Sequence, residues 1–309
     1  MAKKIFIIII IFTIVAAAFF LDSAFIEPNL LITRNKVLYV PNWNKKLDGF
    51  KIALVADLHI GSQFVNLGKL DTVIKKVNEK NPDLIILAGD LDALAITDSK
   101  INTEDIANKL NQFKAKYGVF AILGNHDYQP AGIVRSLFKN ADIPLLANQS
   151  RFIYVNGQPV EIVGFEDLWH SKFSPQKVIE QRPSKDIPII VLSHNPDVLP
   201  EIPSNVTLTL SGHIHGGEVI IPFLGAPFIP SNYGQRFRKG YIVENNKHLY
   251  VSGGIATTSG FRFLNPPEIV FLTLYRQTDK TKINNTKPLK GINKNYIPDY
   301  LKFIKKLKF

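Results

Sequence analysis

The stretch Lys51-Ile52-Ala53-Leu54-Val55-Ala56-Asp57-Leu58-His59 carries an apolar, strand-like run straight into a carboxylate and an imidazole two residues apart. A strand that ends on such side chains delivers them to the edge of a sheet, where the chain turns and clefts form. The pattern recurs four times. The run 83–88 leads into Gly89-Asp90, 119–123 into Gly124-Asn125-His126-Asp127, 187–192 into Ser193-His194-Asn195-Pro196, and 206–210 into Ser211-Gly212-His213-Ile214-His215. Further strand-like runs at 160–163, 249–252 and 269–275 are mostly β-branched and bounded by Gly, Pro, Asn or Asp.

Between the early strands the period changes to that of a helix. Asn66 caps a segment with Leu67, Leu70, Val73, Ile74 and Val77 on one face, stopped by Asn81-Pro82. A second pattern starts at Thr103 and carries Ile106, Leu110 and Phe113; a third opens at Gln129-Pro130 and carries Ile133, Val134, Leu137 and Phe138. The second half is richer in strands, with a hairpin turning at Asn245-Asn246. The mixture predicts an α/β fold. Its form is a four-layer α-β-β-α sandwich, two packed mixed sheets flanked by helices, with the site at one edge where strand ends converge.

Length and composition fit this reading. A chain of 309 residues, 46% hydrophobic, buries a large core in one catalytic domain. The absence of cysteine excludes disulfides, thiolate metal sites and cysteine nucleophiles. Asp57, His59, Asp90, Asn125, His194, His213 and His215 instead form a set of oxygen and imidazole donors, suited to two closely spaced divalent ions. Asp90 follows a buried strand, so its carboxylate must be paired or ligated there, and its two oxygens can bridge two cations.

Lys3 and Lys4 precede an uncharged apolar stretch from Ile5 to Leu21. As a helix its length is about 26 Å, near the roughly 30 Å of a bilayer core. A transmembrane anchor over 1–24 is the favoured reading over a cleaved signal or a buried core helix, because bulky Phe19-Phe20-Leu21 follow the alanines where a cleavage site would stand. Lys3 and Lys4 on one side and Arg34 and Lys36 on the other leave the orientation balanced. Residues 25–46 read as a linker or edge strand, 47–276 as the catalytic domain, and 277–309 as a basic tail. From Arg276 onward ten basic residues face two aspartates. The segment 298–309 plots as a basic amphipathic helix, fit for an anionic leaflet or for docking on its own domain. No nucleic acid partner is expected, because the charge lies in the tail rather than around the ligand motifs.

The series Asp-x-His, Gly-Asp, Gly-Asn-His-Asp, a later His and Gly-His-x-His resembles the calcineurin-like metallophosphoesterase superfamily across about residues 47–275. Ser193-His194-Asn195-Pro196-Asp197, His213-Ile214-His215-Gly216-Gly217, the run 230–237 and Asn265-Pro266-Pro267-Glu268-Ile269 resemble its N-terminally anchored bacterial phosphodiesterases, a branch similar to UDP-diacylglucosamine hydrolases of lipid A synthesis. That resemblance implies two divalent ions (Mn, Fe or Zn), one on Asp57, His59, Asp90 and His215, the other on Asp90, Asn125, His194 and His213, sharing Asp90 and a water or hydroxide. It implies that His126 contacts the phosphate or protonates the leaving oxygen while Asp127 orients its ring. The implied substrate is a lipid-linked or nucleotide-sugar phosphoester, and the implied place is the bacterial cytoplasmic membrane. The alternatives are an extracytoplasmic phosphodiesterase on glycerophosphodiesters or wall polymers, and a non-catalytic membrane scaffold.

Some positions depart from the pattern. Asp92 and Ala93 replace the acid often found three residues after the Gly-Asp aspartate, and Glu218 stands where glutamine is expected. Tyr233, Arg236 and Arg238 are candidates for substrate phosphate or sugar, and Phe223, Phe228, Phe261 and Phe263 for an acyl pocket. His170 and His248 read as structural or exposed.

Overall fold

A computed structural model describes residues 2–91, 101–129, 131–180, 187–283 and 286. The amphipathic helix expected over 298–309 lies outside the described residues, as do Asp92 and Ala93.

β2 (Phe50–Val55), β3 (Leu84–Ala88) and β4 (Val119–Ile122) run parallel, because helical crossovers separate them: Leu67–Asn78 before β3 and Thr103–Leu110 before β4. β11 (Glu268–Arg276) pairs antiparallel with β2, and β1 (Ile32–Val40) completes the edge in parallel with β11, Ile32 opposite Glu268. The second sheet has the order β5-β6-β7-β8-β10-β9. Its members are β5 (Gln149–Val155), β6 (Gln158–Gly164), β7 (Ile189–Leu192), β8 (Leu208–Ser211), β9 (Gly240–Glu244) and β10 (Lys247–Val251). β6, β7, β8 and β10 are parallel, flanked by antiparallel β5 and β9.

The sheets pack face to face. Ile52, Leu54, Ile86 and Ile122 of the first meet Ile162, Ile190, Leu192 and Leu210 of the second. The other face of the first sheet, with Ala53, Val55, Ile85 and Leu87, is covered by Leu70, Val73, Val77, Ile106 and Phe138 from the helices. Each such buried side chain contributes at most about 1.5–3 kcal/mol. The outer face of the second sheet is covered by short elements, the helix Pro175–Glu180 through Ile179 and the turn Pro196–Glu201 through Val198 and Leu199. The result is the expected four-layer sandwich, with one helical layer reduced to short turns.

Local expectations needed small changes. Asn66 caps its helix as predicted, accepting a hydrogen bond from the Lys69 backbone N–H at 3.0 Å. The second helix starts at Thr103 as expected and is capped by Asn102, through the Glu104 N–H at 2.9 Å. β5 escaped notice, because it is a polar edge strand in which only Ile153 and Val155 are buried.

The helix Ala2–Leu21 buries none of its side chains and, with the turns that follow to Asn29, is long and apolar enough to cross a membrane. Its base is docked on the domain. The Ser23 carbonyl accepts the Arg262 N–H at 2.8 Å, and the buried Glu27 carboxylate accepts the N–H groups of Leu264 and Asn265. The rings of Phe19 and Phe263 lie 4.6 Å apart, edge to face.

Candidate metal centre

Parallel strands of both sheets end at one edge and deliver the donors. Asp57 and His59 follow β2, Asp90 follows β3, Asn125 follows β4, His194 follows β7, and His213 and His215 follow β8. Five of these residues, Asp57, His59, Asp90, His213 and His215, have φ between 39° and 70°. A left-handed backbone at non-glycine residues costs on the order of 1–3 kcal/mol each, and such strain gathers at functional sites. Gly124 is required where β4 meets this edge: a Cβ there would lie 2.2 Å from Asp90 Oδ1 and 2.4 Å from its backbone N.

The ligand atoms of Asp57, His59, Asp90 and His215 all lie within 4.8 Å of one another, and all four residues are buried. His59 Nε2 is 3.3 Å from His215 Nε2 and 3.4 Å from Asp90 Oδ2; His215 Nε2 is 3.6 Å from Asp57 Oδ1. His194 Nε2 approaches the same oxygen, Asp90 Oδ2, at 3.2 Å, and the His194 and His213 rings are 5.1 Å apart. Asn125 lines one cavity together with Asp90, His213 and His215. The structure thus clusters Asp57, His59, Asp90 and His215, sets His194 against Asp90, and lines the same cavity with Asn125 and His213.

The donor set fits divalent ions. Three imidazoles are held through their outer nitrogens by backbone carbonyls: His194 Nδ1 by Ala88 O at 2.7 Å, His215 Nδ1 by Ala256 O at 3.1 Å, and His213 Nε2 by Pro230 O at 3.0 Å. Such outer hydrogen bonds aim the remaining nitrogen at an ion. Asp57 Oδ2 and Asn125 Oδ1 are buried and make no hydrogen bond, which is costly unless a cation engages them.

Burial pushes His59 and His213 down to about 3, leaving both imidazoles neutral. Burial opposes charge on His194 too, but Asp90 and Asp57 outweigh it and raise that ring to about 10. Asp90 is held well below the usual carboxylate range: burial works against the charge, and His194 and His59 overcome it. His248, in the β9–β10 hairpin, is lowered to about 4 by burial. These shifts predict the acid and alkaline limits of the metal-free protein. The folded values of His59, His213 and His248 lie below the ordinary 6.5, so the unfolded chain binds protons first and stability falls as pH drops from 6.5 towards 3–4. His194 has the opposite sign: its contribution is complete below 6.5 and is lost as pH rises towards 10. Urea midpoints of chelator-treated protein should therefore peak near neutrality, and His248→Asn should flatten only the acid side. A midpoint constant across this range would contradict the assignment.

His126 lines the cavity, its ring 5.0 Å from that of His59, and its backbone N–H donates to Asp90 Oδ1 at 2.9 Å. The oxygens of Asp127 accept the N–H groups of Leu91 (2.9 Å) and Gly124 (2.8 Å), so this residue braces the β3 and β4 loops against each other. A buried carboxylate flanked by backbone donors takes those bonds first, and the loop geometry provides them. The candidates in the 233–238 loop face elsewhere. Arg236 is engaged by Glu244, Nε to Oε1 at 2.8 Å, because the β9 strand brings Glu244 back beside it. Tyr233 packs on Phe237, and Arg238 lines a neighbouring cavity with Arg34 and Lys36.

The cavity over the donors measures about 610 Å³, with Trp169, Pro227, Phe228, Pro230 and Phe261 among its walls. Of the proposed acyl-pocket residues, Phe228 and Phe261 line it, Phe263 packs on Phe19, and Phe223 is fully exposed. Three contributors were not anticipated. Trp169 sets its ring edge on His213 with centroids 4.6 Å apart. Glu218 accepts the N–H groups of Thr258 and Ser259 and lies 3.7 Å from His215 Nδ1. Arg262, wholly buried, donates to the carbonyls of Asn265, Gly253 and Ala256, the last being the one that also holds His215. The Gly260-Phe261-Arg262-Phe263 loop has no periodicity that would flag it in sequence.

Comparison with known proteins agrees with this geometry. A family model described as calcineurin-like phosphoesterase matches residues 50–217. The chain is 34% identical to the phosphodiesterase YaeI of Escherichia coli, over 73% of this chain and 82% of that protein. It is 31% identical to the uncharacterized metallophosphoesterase YkuE of Bacillus subtilis, over 82% and 88%. It is 28% identical to the UDP-2,3-diacylglucosamine pyrophosphatase LpxG of Chlamydia trachomatis, over 80% and 90%. With the sandwich, the strand-end donors and these likenesses together, the chain belongs to the calcineurin-like phosphoesterase family.

Proposed function

We propose that this protein is a membrane-anchored hydrolase of phosphodiester or pyrophosphate bonds that uses two divalent ions and acts on a lipid-linked substrate. The observation that carries the reading is the gathering of six further donors about Asp90 at the floor of an apolar-walled cavity beside the docked base of the N-terminal helix. Bound ions at such a site supply a nucleophilic water near neutral pH and neutralise charge on the phosphoryl oxygens. The protein's own groups do the rest. Asp90 is shared between Asp57, His59 and His215 on one side and Asn125, His194 and His213 on the other. His126, on the cavity wall, contacts the phosphoryl group and donates a proton to the leaving oxygen. Trp169, Phe228 and Phe261 exclude water and receive the apolar part of the substrate.

UDP-diacylglucosamine is the favoured substrate, supported by the likeness to the Chlamydia pyrophosphatase and by the apolar walls. The higher identity to a phosphodiesterase favours a glycerophosphodiester as the second reading. Purified protein with Mn²⁺ should hydrolyse bis-p-nitrophenyl phosphate and release UMP from UDP-diacylglucosamine. Cleavage of glycerophosphodiesters with no UMP release would select the second reading. A reporter fused after Phe309 that is active only outside the membrane would also exclude a cytoplasmic nucleotide sugar. Metal loading has its own signature. Saturating Mn²⁺ should raise the Tm of chelator-treated protein on the order of 5–10 °C, because ligand at about 100 times its Kd adds about 2.7 kcal/mol. An unchanged Tm would contradict it.

A further inference from the structure

The loops around the cavity mouth carry large apolar side chains on the outside of the molecule, where the sandwich itself has no need of them. Two segments run together: Ile220 N–H donates to Phe263 O at 2.9 Å, Phe263 N–H donates to Glu218 O at 3.1 Å, and Val219 bridges Phe263 in parallel. The first then turns sharply, Ile221 bridging Gly225, and lifts Phe223 and Leu224 on its tip. Phe223 is 101% exposed, Leu264 58% and Leu224 45%, with Ile221 and Phe261 also exposed. Side chains of this kind scattered singly are ordinary, but a contiguous cluster marks an interaction surface.

The chain itself says what covers this surface. Phe19 packs on Phe263, and Phe20 lies 6.0 Å from Phe261, ring to ring, so the end of the apolar helix stands within the cluster. Phe25 and Ile26, just after it, are exposed as well. A helix that buries none of its own side chains and ends here places the 221–225 and 261–264 loops at the level where it would leave a bilayer. Behind Leu264 lies a cavity of about 460 Å³ lined by Arg34, Lys36, Arg238 and Lys239. Arg34 and Lys239 share the buried Glu268 carboxylate at 2.7 and 2.8 Å, and Lys36 and Arg238, set just outside the apolar rim, suit the phosphates of an anionic leaflet.

We propose that the 221–225 and 261–264 loops dip into the outer part of the leaflet in which the helix stands, so that the catalytic domain sits on the membrane rather than swinging from a tether. Phe228 and Phe261 line the metal cavity and also border this rim, so the cavity opens onto the leaflet, and a substrate's acyl chains need not leave it. The inference rests on the anchored part of the reading above and is independent of which bond is cleaved.

The protein has no cysteine, so a single one can be placed and labelled. Full-length Phe223→Cys, and separately Leu224→Cys, would carry a polarity-sensitive NBD label in vesicles of phosphatidylcholine and phosphatidylglycerol. Tyr154→Cys serves as the reference, exposed on β5 towards the opposite ends of the parallel strands. The expected result is a blue-shifted emission at 223 and 224, quenched by brominated acyl chains at a depth of about 5–10 Å, with a water-like spectrum at 154. Protein that floats with the vesicles but keeps a water-like label at 223 and 224 overturns the inference while leaving the anchor intact. A blue shift insensitive to brominated lipid, with the unlabelled cysteine variants forming disulfide-linked pairs under mild oxidation at low protein density, assigns the rim to a second copy and overturns it too. Protein that does not float with vesicles overturns both the anchor and the inference.

Discussion

Asp90→Asn should abolish phosphodiester hydrolysis while leaving the fold intact. Asparagine keeps the shape of the side chain and one oxygen to accept the His126 N–H, which Asp90 Oδ1 now holds at 2.9 Å. What it removes is the negative charge that His59, 3.4 Å away, and His194, 3.2 Å away, both face. With its oxygen kept on the His126 N–H, the amide turns its NH₂ to the place where Asp90 Oδ2 faces both histidines, and an NH₂ cannot bridge two cations. Charge stabilisation by metal ions is worth several kcal/mol in the transition state, so kcat should fall on the order of 10³-fold or more. Circular dichroism should be unchanged, because the amide keeps the volume of the side chain and the hydrogen bond from the His126 N–H. Hydrolysis within tenfold of the parent would sink the role given to Asp90.

Arg262→Met should be among the most destabilising single changes outside the core. Its guanidinium is fully buried and donates to three backbone carbonyls, and Glu218, Asp57, Glu268 and Glu27 all act to keep it charged. Removing the guanidinium leaves these buried carbonyls without their donor, at about 1–3 kcal/mol for each one that stays unsatisfied. For a domain of this size the expected loss in Tm is roughly 6–20 °C. Activity should fall as well in the variant that remains folded at low temperature, because Ala256 O, which holds His215 Nδ1, loses its second donor. Outer hydrogen-bond partners of ligating histidines are typically worth about 10–100-fold in metal affinity. Arg262→Lys should recover part of the stability but not the three-carbonyl fork. A Tm within the range of ordinary surface variants would contradict this.

The donors were legible in the sequence because each follows a strand made of apolar, largely β-branched residues. The strand fixes where its last residue points, and glycines such as Gly89 and Gly124 mark where two backbones must nearly touch. The crossover helices were legible for the same reason, since their apolar period and asparagine caps are local. Loops were harder. Arg236 and Arg238 stand close in sequence to the ligands, but direction in a loop is set by tertiary partners, and Glu244 captured Arg236. Arg262 could not be read, because nothing local distinguishes a buried arginine from a solvated one. The exposed Phe223 was read as part of an acyl pocket, although its turn at Ile221 and Gly225 points it out of the domain.

Anomalous diffraction from crystals loaded with Mn²⁺ tests the binuclear site most directly. The account predicts two peaks about 3.5–4 Å apart, one on each side of Asp90, the first against His59 and His215 and the second against His194 and His213. A single peak, or density away from Asp90, would contradict it.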